Sequence, residues 1–117
     1  MSKRTPGVVH IANDVLADLV GYAALESYGV VGMAAPTLRD GVAQLLPRQK
    51  LRKGVKITGE SAGVAADLYV VIEHGTQLAE VSHNLADRIR YVLTHMADVQ
   101  VASIDVHVMG VKVRTAK

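Results

Sequence analysis

Cysteine, tryptophan and phenylalanine are all absent from the 117 residues, and four tyrosines supply what aromatic surface there is. No disulfide can staple such a chain, and no thiol is present to act as a nucleophile or soft metal ligand. The core must therefore be assembled from Val, Leu, Ile, Ala and Met. Apolar residues make up 50% of the chain, and one domain of this length buries roughly two-thirds of the surface its unfolded form exposes, enough for a fold without staples. Long hydrophobic runs are missing as well: none approaches the ~18 residues that suggest a membrane span. The opening Met1-Ser2-Lys3-Arg4-Thr5-Pro6 carries two bases with no apolar stretch behind them, so secretion is not expected.

What is present is an uneven charge distribution. From Arg39 to Lys56 there are six bases (Arg39, Arg48, Lys50, Arg52, Lys53, Lys56) against one acid, a net +5, while the remaining seven bases and ten acids give −3. A basic segment on a mildly acidic body favours acidic partners, or association between unlike faces of identical chains.

Hydrophobic periodicity predicts the elements. Gly7-Val8-Val9-His10-Ile11 reads as a short strand. Asn13 is placed to cap a helix whose apolar stripe is Val15, Leu16, Leu19, Val20 and Ala23, with Asp14 in its first turn and Gly29 as its stop. Gly29 to Ala34 reads as a short strand before Pro36. Thr37 to about Leu46 reads as a short helix that Pro47 terminates, and the basic stretch to Lys53 as a loop. Gly54–Glu60 and Val64–His74 alternate around Ser61-Ala62-Gly63 as a β-hairpin, with Val64, Ala66, Leu68, Val70 and Ile72 on one face and Asp67, Tyr69, Val71 and Glu73 on the other. Gly75 breaks that strand, and Thr76 is placed to cap an amphipathic helix through Leu78, Val81, Leu85, Ile89, Val92 and Met96. Val101–Val113 reads as a long strand whose side-chain phase slips at Gly110, the mark of a bulge. The expected fold is α+β: a small mixed or antiparallel sheet of about four strands with two main helices on one face, in the order β-α-(short β)-(short α)-β-β-α-β. One domain is expected over residues 7–113, with short tails at 1–6 and 114–117.

Catalytic patterns do not emerge. The histidines at 10, 74, 83, 95 and 107 lack ligand-pair spacing, except that Asp105 and His107, two apart on a strand, share a face and read as an ordinary surface pair. Ser82 and His83 are neighbours that point apart on a helix. No phosphate-cradling or dinucleotide glycine motif occurs. No catalytic residue, metal site or cofactor is assigned. Glu26 falls beside the buried stripe of the first helix and needs either backbone amides or a base as its partner. Gly29-Val30-Val31-Gly32 matches the GxxG of KH domains in form, though its middle is apolar and residues 36–56 hold no aromatic to stack on a base.

The pieces Gly7-Val8-Val9-His10-Ile11-Ala12, Glu26-Ser27-Tyr28-Gly29-Val30, Gly54-Val55-Lys56, Asp67-Leu68-Tyr69-Val70-Val71 with Gly75, and Val106-His107-Val108-Met109-Gly110-Val111, in this order and spacing, resemble the alkaline shock protein family of the bacterial envelope stress response. The resemblance implies a cytoplasmic, non-enzymatic protein that self-associates into a homo-oligomer and is held at the inner face of the membrane by a membrane-anchored protein partner. Partner contacts are assigned to Arg39, Arg48, Lys50, Arg52, Lys53 and Lys56 and to the outer strand face at Tyr69 and Val71. Glu26, Gly29, Gly75 and Gly110 are assigned structural roles. The alternative is a KH-like nucleic-acid-binding module that uses the basic loop from Arg48 to Lys56.

Overall fold

The computed structural model describes residues 12–113, so the strand expected over Gly7–Ile11 and both expected tails lie outside the described residues. Helix α1 spans Asn13–Leu25 and buries Leu16, Ala17, Val20, Ala23 and Ala24. Its stripe is narrower than expected, because Val15 is 56% exposed. Ala12, not Asn13, occupies the N-cap, and no side chain caps that end. The chain leaves the helix through a turn whose last residue, Gly29, has φ +84°, a left-handed conformation that glycine adopts without strain.

Strand β1 (Val30–Arg39) runs through Pro36 and is longer than expected. Its pairing is irregular between Ala34 and Leu38, so the missing proline N–H falls where no regular ladder bond is needed. The helix expected over Thr37–Leu46 does not form. Asp40 and Gly41 both have positive φ, 53° and 77°, the pattern of a two-residue hairpin turn, and no right-handed helix accommodates it. β1 therefore folds back as strand β2 (Val42–Leu45). The basic stretch is likewise not a loop: Arg48–Gly54 form a 3-10 segment after Pro47, with Leu51 buried against Gly21 of α1.

The hairpin of β3 (Val55–Glu60) and β4 (Gly63–Glu73) is in regular antiparallel register from Val55↔Leu68 to Glu60↔Gly63. Strand β4 is the hub of the sheet. It pairs antiparallel with β1 near its end, antiparallel with β3 near its start, and in parallel with β5 (Val101–Lys112) along its whole length. The expected phase slip is present: Val70 pairs with Val108 and Val71 with Gly110, which leaves Met109 as the extra residue.

Helix α2 (Leu78–Tyr91) buries Val81, Leu85 and Ile89. Gln77 stands at its N-cap, while the Thr76 hydroxyl donates to the Glu73 carbonyl at 2.6 Å. A π-helical turn over Val92–Met96 follows, and its wider turn shifts the side-chain phase. As a result Leu93 is fully buried and Met96, expected inside, is 66% exposed. Leu78, at the other end of the stripe, is also exposed. The fold is α+β, with a mixed sheet of five strands. Both helices cover the face that carries Leu68, Val70 and Ile72, and Val20, Met33, Leu85 and Ile89 complete the core.

Candidate interaction surfaces

The 3-10 segment sets the geometry of the basic region. Its Leu51 is an anchor at 3% exposure, so the flanking side chains point away from the core. Arg52 turns back onto α1. Its Nε donates to Asp18 Oδ1 at 3.1 Å, its Nη2 to Asp18 Oδ2 at 2.9 Å, and its Nη1 lies 3.0 Å from Asp14 Oδ2. The hydrogen bonds and negative charge of Asp18, with help from Asp14, raise the guanidinium pKa above its ordinary value. Arg48 sits over the Tyr22 ring, 5.3 Å from its centroid. Arg39, Lys50, Lys53 and Lys56 are exposed. The two arginines therefore fasten the segment to α1, and the lysines and Arg39 are presented to the surroundings. The fork–carboxylate match of Arg52 is specific to arginine.

Glu26 is exposed, not buried, and its partner is a base. Arg88 Nη2 donates to Glu26 Oε1 at 2.8 Å, and Arg88 Nε donates to the Ala23 carbonyl at 3.1 Å. Arg88 thus ties α2 to a carbonyl near the end of α1 that also accepts from the Glu26 N–H and the Ser27 hydroxyl, where a cation is favoured. No signal within either helix pairs these residues, which lie 62 positions apart.

On the outer face of the sheet, Tyr69 stacks on His107 with ring centroids 4.5 Å apart. His107 Nε2 donates to Asp67 Oδ1 at 3.0 Å, so the partner of His107 is Asp67 on the neighbouring strand and not Asp105. Val71, expected to be an exposed apolar contact, is 3% exposed. The reason is the unforeseen β1–β2 hairpin, which folds across this face. Val42, Ala43 and Leu45 face Val71, Met109 and Gly110 over a shallow cleft of about 290 Å³. Gly110 allows that approach, since a Cβ there would meet the Ala43 Cβ at 3.3 Å. Gly75 ends β4 at φ +95° with open space around it.

The glycine pair that resembles a KH loop is not a loop. Gly32 lies inside β1, and a Cβ on it would be 3.0 Å from the Leu45 side chain. A segment so covered cannot close on a nucleic-acid backbone. Among the described residues no helix is long and apolar enough to cross a membrane.

Comparison with known proteins adds a family. A model of the alkaline shock protein 23 family, described as having a cell envelope-related function, matches residues 1–113. The chain is similar to the uncharacterized protein YloU of Bacillus subtilis (strain 168), 32% identical over 108 residues that cover 92% of this chain and 90% of that one. It is also similar to the uncharacterized protein Spy1614 of Streptococcus pyogenes serotype M6, 32% identical over 108 residues covering 92% and 89%. Among solved structures, a MamM-CTD structure superposes with a TM-score of 0.51 at 11% identity, covering 88% of this chain and all of that one. At that identity the likeness is one of fold.

Proposed function

Because this chain belongs to the alkaline shock protein 23 family, with its cell envelope-related function, we propose that it is a non-enzymatic, self-associating cytoplasmic scaffold of the envelope stress response, held at the inner face of the membrane by a membrane-anchored protein. The observation that carries this reading is the placement of the basic residues. Arg48 and Arg52 lock the 3-10 segment onto α1, and its Lys50 and Lys53 stand outward, with Arg39 at the end of β1 and Lys56 in β3 also exposed. A partner that binds there meets charges already held in place, so it loses less conformational entropy than it would against a loop. An acidic juxtamembrane segment of a membrane protein has the chemistry to fit. Tyr69 is the remaining outward aromatic of the strand surface that the sequence assigns to partner contacts. Self-association draws on exposed apolar strand surface and on opposite charge.

Fractionation of native cells, followed by capture from detergent-solubilised membranes, tests the reading. The parent chain is expected to sediment with membranes and to bring down one identifiable membrane-anchored protein. The Lys50→Glu/Lys53→Glu variant is expected in the soluble fraction. If the parent is soluble and instead retains RNA with a steep loss on adding salt, the nucleic-acid alternative replaces this one.

A further inference from the structure

Strand β5 has twelve residues and, among the described residues, is paired on one side only, to β4. Long open edges are usually blunted by proline or by several charges. This one has no proline, and its only formally charged side chains are Asp105 and Lys112. We infer that this edge of β5 is the self-association surface, and that two copies of this chain join antiparallel across it with the two-fold axis between Val108 and Met109. The inference rests on the self-association proposed above and names the surface that performs it.

The register follows from the bulge. In an unbroken strand Asp105 and Lys112, seven apart, would point to opposite faces. The extra residue at Met109 brings both to the outer face, Asp105 beside Asp67 and Lys112 beside Glu73. With the axis at the bulge, Asp105 opposes the partner's Lys112 on the same face, twice by symmetry. Val106 then opposes the partner's Val111, and Ile104 the partner's Val113, on the helix side of the joined sheet. Val111 and Val113 are 52% and 69% exposed in the single chain, and the pairing gives them apolar neighbours.

Electrostatics favour this register. Asp105 sits next to a second carboxylate, Asp67, which His107 already attends and whose cross-strand neighbour is Lys56. Asp105 and Lys112 form no ion pair among the described residues. In the pair of chains the partner's Lys112 neutralises the surplus negative charge at Asp105. The row across the dimer then reads Lys56, Asp67, Asp105, followed by the partner's Lys112 and the partner's Glu73. A register that set Asp105 against the partner's Asp105 would place like charges in direct opposition, which is destabilising.

Sedimentation equilibrium of the full chain tests the inference with reciprocal charge swaps. Asp105→Lys and Lys112→Asp are each expected to weaken dimerisation about tenfold or more, through like-charge juxtaposition across the interface. An equimolar mixture of the two is expected to dimerise as well as the parent. In the mixed pair the introduced lysine of one variant faces the introduced aspartate of the other, and the unaltered lysine and aspartate face each other at the symmetry-related place. The double variant D105K/K112D recovers in the same way. Both positions are exposed, so the fold is retained, and recovery in the mixture demonstrates it directly. A parent chain that stays monomeric at every concentration and salt overturns both the inference and the self-association reading. A parent that associates with unchanged strength after either swap, but weakens on reversing Lys50 and Lys53, overturns the β5 edge alone.

Discussion

At the scale of single residues, Gly29 and Arg88 govern how the end of α1 meets the rest of the fold. A Cβ on Gly29 would lie 2.6 Å from Val81 Cγ2, and its φ of +84° disfavours any other residue. Gly29→Ala is therefore expected to destabilise by about 2 kcal/mol or more, as left-handed strain and overpacking add. Urea unfolding followed by circular dichroism measures it. Arg88 acts more mildly, being 44% exposed at its side chain. Arg88→Ala is expected to cost about 1 kcal/mol, mostly through the lost bond to the Ala23 carbonyl. Glu26→Gln is expected to cost less than about 0.5 kcal/mol, because an ion pair this exposed is weak. If Glu26→Gln were the more damaging change in the same unfolding assay, Arg88 would be acting through its carboxylate partner and not through the helix end. Glu26 is thus expected to contribute less than Arg88, which its own helix gives no reason to single out.

Among the elements, α2 and β4 are the most legible in the sequence, because long runs of regular period leave little choice of buried face. Val81, Leu85 and Ile89 are spaced for one helical face, and all three are inside. Leu85 has no exposed surface, and Leu85→Ala is expected to cost about 2–5 kcal/mol from lost burial and the cavity left behind. Differential scanning calorimetry should show a matching fall in Tm. Where the period is interrupted, pattern alone misleads. The segment Thr37–Leu46 reads as helical when its glycine is weighed only as a weak helix residue, whereas Asp40-Gly41 is a turn whose two positive φ values make a hairpin. Met96 reads as buried when the stripe is continued through a π-turn, which local composition does not announce. The slip at Gly110 is legible, since a change of side-chain phase at glycine is itself the signature of a bulge.

At the scale of the whole molecule, the sheet has an open edge at β5 among the described residues and a basic flank at the 3-10 segment, and these surfaces respond differently to salt. Attraction through exposed lysines is screened over about 8 Å at physiological ionic strength. Membrane retention through Lys50 and Lys53 is therefore expected to fall steadily with added salt. Pairing along β5 rests on backbone hydrogen bonds and apolar contacts as well as two ion pairs, and should persist at higher salt. Cosedimentation with membranes and sedimentation equilibrium, each run over one salt series, compare the two dependences. Loss of both in parallel would mean that charge alone drives association.

The sequence by itself determined the fold class, the core-facing side of α2 and of β4, the bulge beside Gly110 and the concentration of positive charge between Arg39 and Lys56. Those features are local: they follow from period, glycine placement and charge counts along the chain. The tertiary structure decided what they meet. Val71 lies on the outer face as its alternation requires, yet it is buried because the β1–β2 hairpin, from a separate stretch of chain, folds over it. Arg52 lies in the basic run, yet it is committed to Asp14 and Asp18 of α1. Exposure and pairing depend on which distant segments approach, and the pattern of a single segment does not contain that information.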